Sequence, residues 1–382
     1  MLARGCARSS GRASLAGRIA ISNPVAVSAP EAREDEISAA LACYPILSAV
    51  SSPRATPITR GLIHQTFRID DGATRWVLQR LNPIFSLAVH ENIEAVTVRL
   101  EERGVPTPRL CRTREGALFA DLGESGRFRL MTHVDGTSLD TCASPELAAS
   151  AGRLVARFHS ALDGLEHEFA PLGFPFHEPA RHFADLEAAI HAHPVHRHRA
   201  PVARIADQIR EIVRGWQPLD GLPDRVVHLD LKFNNVLFEP DAAPGATPEA
   251  RCLIDLDTLS RRPLWIELGD AWRSWCNRRP EHEPVAVLEP RIFEASASAW
   301  LGAVRLDLGR AEIESLAHAL ERLTLELCAR FAADALNERY FGWNDRLFES
   351  AGDHNLSRAR GQLSMHAQAR ETRADRLRFL LS

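Results

Sequence analysis

The chain has 382 residues, 45% hydrophobic and 25% charged, a balance that excludes a disordered or fibrous protein and a length that points to two lobes rather than one core. A net charge of -4 gives neither nucleic acid nor an anionic membrane a reason to bind, and no window of about 18 residues is apolar and charge-free, so nothing is expected to span a bilayer. The cysteines are scattered, odd in number and without a C-x2-C pair, which argues against a disulfide framework or a zinc site and for a reducing, cytoplasmic compartment.

Residues 1–30 carry Arg4, Arg8, Arg12 and Arg18 among Ser and Ala with no acid before Glu31, the bias of a targeting peptide or a disordered extension without catalytic role. From Glu31 to Ser48, Ile37, Leu41, Tyr44 and Leu47 recur at helical spacing and stop before a Ser-Ser-Pro turn signal. Ile63, Phe67 and Ile69 lead to Asp71-Gly72, a hairpin-turn dipeptide, and Trp76-Val77-Leu78 resumes beyond it, which predicts a hairpin. Alternation sends Gln79 and Arg80 to opposite faces of its second strand. A helix from Val89 to Leu100 follows, broken at Gly104 to Pro108, then two short strands near Gly116–Asp121 and Arg127–Thr132 and a connector ending at Asp135-Gly136.

Beyond Pro145 the pattern turns helical. Leu147, Ala151, Leu154, Val155, Phe158 and Leu162 form a core-facing stripe, with His159 beside it read as a packing histidine. Pro179 and Arg181 open another helix. Residues 191–201 hold four histidines at irregular spacing around Pro194, which reads as a solvated loop rather than a metal site. A helix over Val202–Trp216, strands at Val236–Phe238 and Cys252–Ile254, and a Pro-, Ala- and Gly-rich flexible loop between those strands come next. Glu267, Asp270 and Arg273 fall near the start of a helix, where carboxylates complement the helix dipole. The remainder is helical from Val285, with residues 314–336 an amphipathic run that predicts a core-packing helix.

The chemistry sits in the stretch His228-x-Asp230-x4-Asn235, which closes in an apolar run, and in the strand that ends in Asp255 and Asp257. Single Asp and Asn residues in loops are ordinarily turn formers, but this constellation between apolar strands is what phosphoryl transfer from a nucleotide requires. Asp230 would accept the proton of a substrate hydroxyl and Lys232 would offset phosphate charge. Asn235 and Asp255 would hold Mg²⁺. The hairpin would then cover the phosphates of ATP through Gly61, His64 and Thr66. Gln79 or Arg80 would face the nucleotide, Glu91 would steady the cation, and the connector at His133 would meet the purine. Arg181 and Asp270 are candidates for the acceptor pocket. The expected fold is α+β and protein-kinase-like, with an N-lobe over 31–132 and a helical C-lobe over 133–382. The expected partner is a small hydroxylated molecule, and the chain is expected to be a monomer or homodimer.

With these residues in view, the chain resembles the aminoglycoside phosphotransferase and choline kinase superfamily, and within it the branch of N-acetylhexosamine 1-kinases and related sugar kinases. Gly61 to Ile69, Trp76 to Phe85, the Glu91-Asn92-Ile93 helix, Leu253 to Leu259 and Glu267 to Arg273 carry the likeness in order. The resemblance implies ATP- and Mg²⁺-dependent phosphorylation of a small hydroxylated substrate, with Asp230 as base, Asn235 and Asp255 as metal ligands and Asp257 as an accessory one. His64-Gln65 stands where the branch has Asn-Asp, Leu229 and Leu231 flank Asp230, Glu267 replaces an Asp, and Ser260 to Pro263 replaces a Gly-rich bend. These departures leave two alternatives: an aminoglycoside, choline or other amino-alcohol acceptor, or a nucleotide-binding regulator without turnover.

Overall fold

The computed structural model describes residues 32–47, 53–58, 63–240 and 246–382. The expected extension over 1–30 and the expected phosphate-loop residue Gly61 lie outside the described residues.

The N-terminal half is an antiparallel sheet of six strands with one helix on its outer face. β1 (Arg54–Ile58), β2 (Gln65–Asp70), β3 (Arg75–Arg80), β6 (Arg127–Thr132) and β4 (Leu110–Cys111) pair in that spatial order, and β5 (Ala120–Asp121) also pairs with β6. The hairpin turn forms as the sequence predicts: Asp71 Oδ1 accepts from the N–H groups of Ala73 at 2.9 Å and Thr74 at 2.6 Å, while Gly72 adopts φ 90°. Trp76 and Leu78 point to the face covered by α1 (Glu34–Ala42), joining Ile37, Leu41, Tyr44, Phe67, Ile69, Phe128 and Leu130 in one core. α1 is shorter than the apolar spacing predicts, because Pro45 starts a single 3-10 turn in place of another helical turn.

α2 (Val89–Glu102) belongs by packing to the other half: Ile93, Val96 and Leu100 join the large C-terminal core. That core is built on α3 (Pro145–Ala161), α6 (Leu264–Trp275) and α7 (Pro290–Ala303), with α4 (Pro179–Ala192) and α5 (Arg199–Arg214) on one side. The centre is α8 (Arg310–Asn337), which packs on α4, α5, α6, α9 (Ala351–Glu371) and α10 (Arg373–Leu381). The amphipathic reading of α8 is corrected here. Every residue from Leu323 to Ala329 is buried, because helices cover that middle stretch on all sides. α6 can press against it because Gly269 has no side chain; a Cβ there would lie 2.8 Å from the Ala319 carbonyl oxygen.

The histidine-rich segment is also tied down rather than solvated. His193 bonds Asn337 at 3.0 Å, His196 lies 3.6 Å from Glu338, and His198 lies 3.1 Å from Asp353. Among the described residues no cluster of three or more His, Cys, Asp or Glu is arranged to hold a metal, and no helix is long and apolar enough to cross a membrane.

Two small ribbons carry the site. β8 (Arg225–Val227) pairs with β11 (Ser260–Arg262), and β9 (Val236–Phe238) lies between β10 (Ala250–Leu253) and β7 (Thr137–Ser138). The loop from β8 to β9 and the turn from β10 to β11 therefore meet at the floor of the cleft below the sheet.

Candidate active site

The loop from His228 to Asn235 is hung from buried side chains. Glu267 of α6 accepts from the backbone N–H of His228 at 2.9 Å and of Leu229 at 2.6 Å. Trp275 Nε1 donates to the Leu231 carbonyl at 2.7 Å, Thr258 Oγ1 to the His228 carbonyl at 2.6 Å, and His177 Nε2 lies 3.0 Å from the Leu229 carbonyl. These bonds hold Leu229 at φ 67°, a left-handed conformation a branched side chain seldom adopts. Glu267 is fully buried, and burial acts to raise its pKa, but His159 at 3.3 Å and the neighbouring His228 outweigh it and hold the carboxyl below its usual range. His159 is thus a packing histidine, as expected, and it also braces the loop through Glu267; Trp300 Nε1 donates to its Nδ1 at 3.0 Å.

Held this way, Asp230 has its two oxygens 2.9 and 3.0 Å from Lys232 Nζ, and Asn235 Nδ2 donates to the Asp230 carbonyl at 2.8 Å and its carboxylate at 3.2 Å. Burial raises the Asp230 pKa, yet the Lys232 ammonium more than offsets it and leaves the carboxyl below the ordinary value. The same pair raises the Lys232 pKa against the effect of burial. Lys232 is the only lysine in the sequence; every other cationic side chain of that class is an arginine.

The second carboxylate pair splits. Asp255 sits at φ 66° and opens to the cleft, with no hydrogen bond or ion pair among the described residues. Enclosure by the protein, then the nearby charges of Asp257 and Asp230, push its pKa up. Asp257, expected as an accessory metal ligand, is not available for that role. It is 2% exposed, and Arg129 of β6 grips both its oxygens at 2.7 and 2.6 Å. The left-handed residue at 255 reverses the strand alternation, so two acids at period two face different surroundings. Burial raises the Asp257 pKa, but Arg129 first and His64 second bring it well below the normal carboxylate value.

His64, expected on the phosphates, is likewise corrected. Its Nδ1 accepts from the Asn82 N–H at 3.0 Å, which places the proton on Nε2, and Nε2 lies 3.3 Å from Asp257. Thr66, Gln79 and Arg129 form a row across β2, β3 and β6: Gln79 Nε2 donates to Thr66 Oγ1 at 3.1 Å, and Arg129 donates to Gln79 Oε1 at 2.8 Å. This row lines the sheet face toward the cleft. Arg80 is on the opposite face, 3.7 Å from Glu36 of α1, so Gln79 is the member of the pair turned to the cleft.

Other expected positions fall elsewhere. Glu91 is exposed on the first turn of α2 and pairs with no cation among the described residues. The His133 N–H is donated to the Arg75 carbonyl, so it is not offered to a purine, and the ring meets Asp135 at 3.1 Å. Asp270 is fully buried and bonds Arg273 at 2.8 Å, which makes it a support of the floor rather than an acceptor contact. Arg181 pairs with Asp185 one turn along α4 at 3.2 Å. Asp185 in turn lines a pocket between α4, α8 and the loop after α8, with Phe174, His182, Arg330, Tyr340 and Phe341. Glu267, Arg129, His177 and Arg330 were not singled out for these roles from the sequence. A carboxylate early in α6 was the one signal for any of them.

The residues fit a divalent metal carried with a nucleotide. Asn235 presents its amide to Asp230 through nitrogen, which leaves Oδ1 as the atom that could meet a metal, and Asp255 is a carboxylate with no partner among the described residues, beside two other acids. One or two hard oxygen donors, completed by substrate phosphates, are what Mg²⁺ takes.

A sequence profile described as the phosphotransferase enzyme family matches residues 54–300, more than half the chain. Among solved structures, the fold is similar to an aminoglycoside phosphotransferase from Alicyclobacillus acidocaldarius, at 16% identity and a TM-score of 0.59, covering 91% of this chain and 98% of that one. A microcompartment-associated aminopropanol kinase matches at 16% identity and 0.57, over 90% and 98%. Choline kinase from Cryptosporidium parvum matches at 12% and 0.57, over 91% and 99%.

Proposed function

The chain belongs to the phosphotransferase enzyme family and acts on hydroxyl groups of small molecules, and from that premise we propose that it uses ATP and Mg²⁺ to phosphorylate an amino sugar or a related sugar. The observation that carries this reading is the Asp230 carboxylate held between Lys232 and Asn235, near Asp255, which has no partner among the described residues. Residues 31–132 form the nucleotide-covering lobe in this reading, and 133–382 the catalytic and acceptor lobe.

The acceptor hydroxyl approaches Asp230, which orients it and takes its proton as the bond to phosphorus forms. A carboxylate with a lowered pKa serves here, because phosphoryl transfer depends on alignment and charge stabilisation more than on a strong base. Lys232 stays protonated and offsets charge on the transferred group. Asn235 and Asp255 hold the metal, which neutralises the polyphosphate when bound. The row of Thr66 and Gln79 faces the nucleotide, with Arg129 fixing its far end.

Coupled ADP release with a panel of sugars and amino alcohols tests the reading. Turnover on a sugar that disappears in Asp230→Ala supports it; near-wild-type turnover by that variant overturns it. The likeness in fold to an aminoglycoside phosphotransferase, an aminopropanol kinase and a choline kinase favours a second reading, an aminoglycoside, choline or amino-alcohol acceptor. Preference for those compounds in the same panel would replace the sugar. Nucleotide binding with no turnover on any acceptor would instead indicate a silent regulator.

A further inference from the structure

We propose that Arg330 selects the acceptor: it occupies an aromatic cage with its own guanidinium, so the adjoining pocket takes a group that presents oxygen and rejects one that carries an ammonium. This rests on the kinase reading for its chemistry, but its geometry is independent of it.

The Arg330 Cζ lies 5.3 Å from the ring centre of Phe176, 5.7 Å from that of Tyr340 and 5.5 Å from that of Phe341. Several rings around one cation are the arrangement that recognises amines. Here the cation is part of the chain, and it lines the pocket between α4 and α8. No carboxylate among the described residues lies within ion-pair distance of it. Asp334 also lines the pocket, but its oxygens accept from the N–H groups of Arg339, Tyr340 and Phe341 at 3.0, 3.0 and 2.8 Å and from Asn355 Nδ2 at 3.0 Å. Asp185 faces Arg181 at 3.2 Å, and Glu326 lies 3.3 Å from His177 and 3.5 Å from His182.

Arg330 donates to Tyr340 Oη at 3.4 Å. A guanidinium carries five N–H donors, so it has capacity for a carbonyl or carboxylate oxygen. His182 in the wall is neutral, since burial and then Arg330 push its pKa down to about 3. Buried side chains connect this wall to the catalytic loop: His182 lies 3.5 Å from Glu326, Glu326 lies 3.3 Å from His177, and His177 Nε2 lies 3.0 Å from the Leu229 carbonyl, next to Asp230. An ammonium entering here would meet Arg330 as a like charge, whereas an amide or an acid would meet a donor.

The test uses two pairs of acceptors, each differing in one group: glucosamine and N-acetylglucosamine at C2, glucose and glucuronate at C6. Both kcat/KM with ATP and calorimetric binding are measured on the full chain. The expected result is that N-acetylglucosamine exceeds glucosamine, or glucuronate exceeds glucose, by a factor on the order of 10². Arg330→Gln and Arg330→Ala should reduce that preference to a few-fold, chiefly through KM, with circular dichroism and ATP affinity reporting whether each variant is folded. Preference for N-acetylglucosamine assigns an amide carbonyl to the site, and preference for glucuronate a carboxylate. Equal or better use or binding of glucosamine, or a preference unchanged in both variants, overturns the proposal. Binding that discriminates through Arg330 without any ATP turnover would sustain this inference while the kinase reading failed.

Discussion

Residues 228–231 are held along their main chain by four side chains from different parts of the C-lobe: Glu267, Trp275, Thr258 and His177. Across the cleft, the sheet reaches the same region through one strongly charged contact, Arg129 on Asp257, with His64 beside it. The first arrangement fixes backbone that must place Asp230 to within a fraction of an ångström. The second joins the sheet to the turn that carries Asp255. Neutral and singly charged hydrogen bonds give the loop its precision, while a buried ion pair gives the two halves their registration. The latter is a poor source of net stability but is costly to break on one side.

The widest separation between chemistry and scaffold should come from Asp230→Ala and Asp255→Ala. Each is expected to lower turnover by roughly 10²–10⁴ while leaving thermal unfolding close to wild type; a collapsed melting temperature would mean the loop needs these side chains to fold. Arg129→Ala tests the other side. It strands Asp257 in the interior and should destabilise by about 3–5 kcal/mol in urea unfolding, whereas an Arg129→Met, Asp257→Leu double variant should recover much of that loss. Full recovery of activity as well would show that the pair has no part in positioning Asp255.

Glu267→Gln sharpens the comparison through pH. The folded-state pKa of Glu267 is below its unfolded value of 4.5, so its ionised form stabilises the protein above about that pH. That contribution is lost as pH falls through the folded value. The gap between wild type and the variant, expected at about 1–3 kcal/mol near neutrality, should therefore narrow in acid. A constant gap would assign the loss to shape rather than charge. The smallest effect belongs to Glu91→Ala, which should stay within about 0.5 kcal/mol of wild type and leave the Michaelis constant for ATP unmoved.

The difference between the two sides also explains what could be read from the sequence. Asp230, Asn235 and Asp255 were legible because their chemistry lies in one short loop and one strand end, where spacing alone brings polar groups together. The hairpin and the choice of opposite faces for Gln79 and Arg80 followed from alternation. Asp257 misled because alternation fails at a left-handed residue, and a single sequence gives no sign that Asp255 adopts φ 66°. Arg129 acquires its place only from cross-strand register with Gln79, and Arg330 only when α8 passes beside α4. The amphipathic pattern of α8 told that it packs a core, but not that neighbours enclose its middle on every side.

Lys232 carries a consequence outside catalysis. Because the sequence offers a single side-chain amine, an amine-directed acylating reagent finds one lysine, and that lysine lies at the working centre. Salt-bridged to Asp230, that amine is held as ammonium and should react sluggishly; freeing it with Asp230→Asn should quicken the labelling. Mass spectrometry of the intact chain would then read the electrostatic state of the cleft directly, with no need to know what the enzyme phosphorylates.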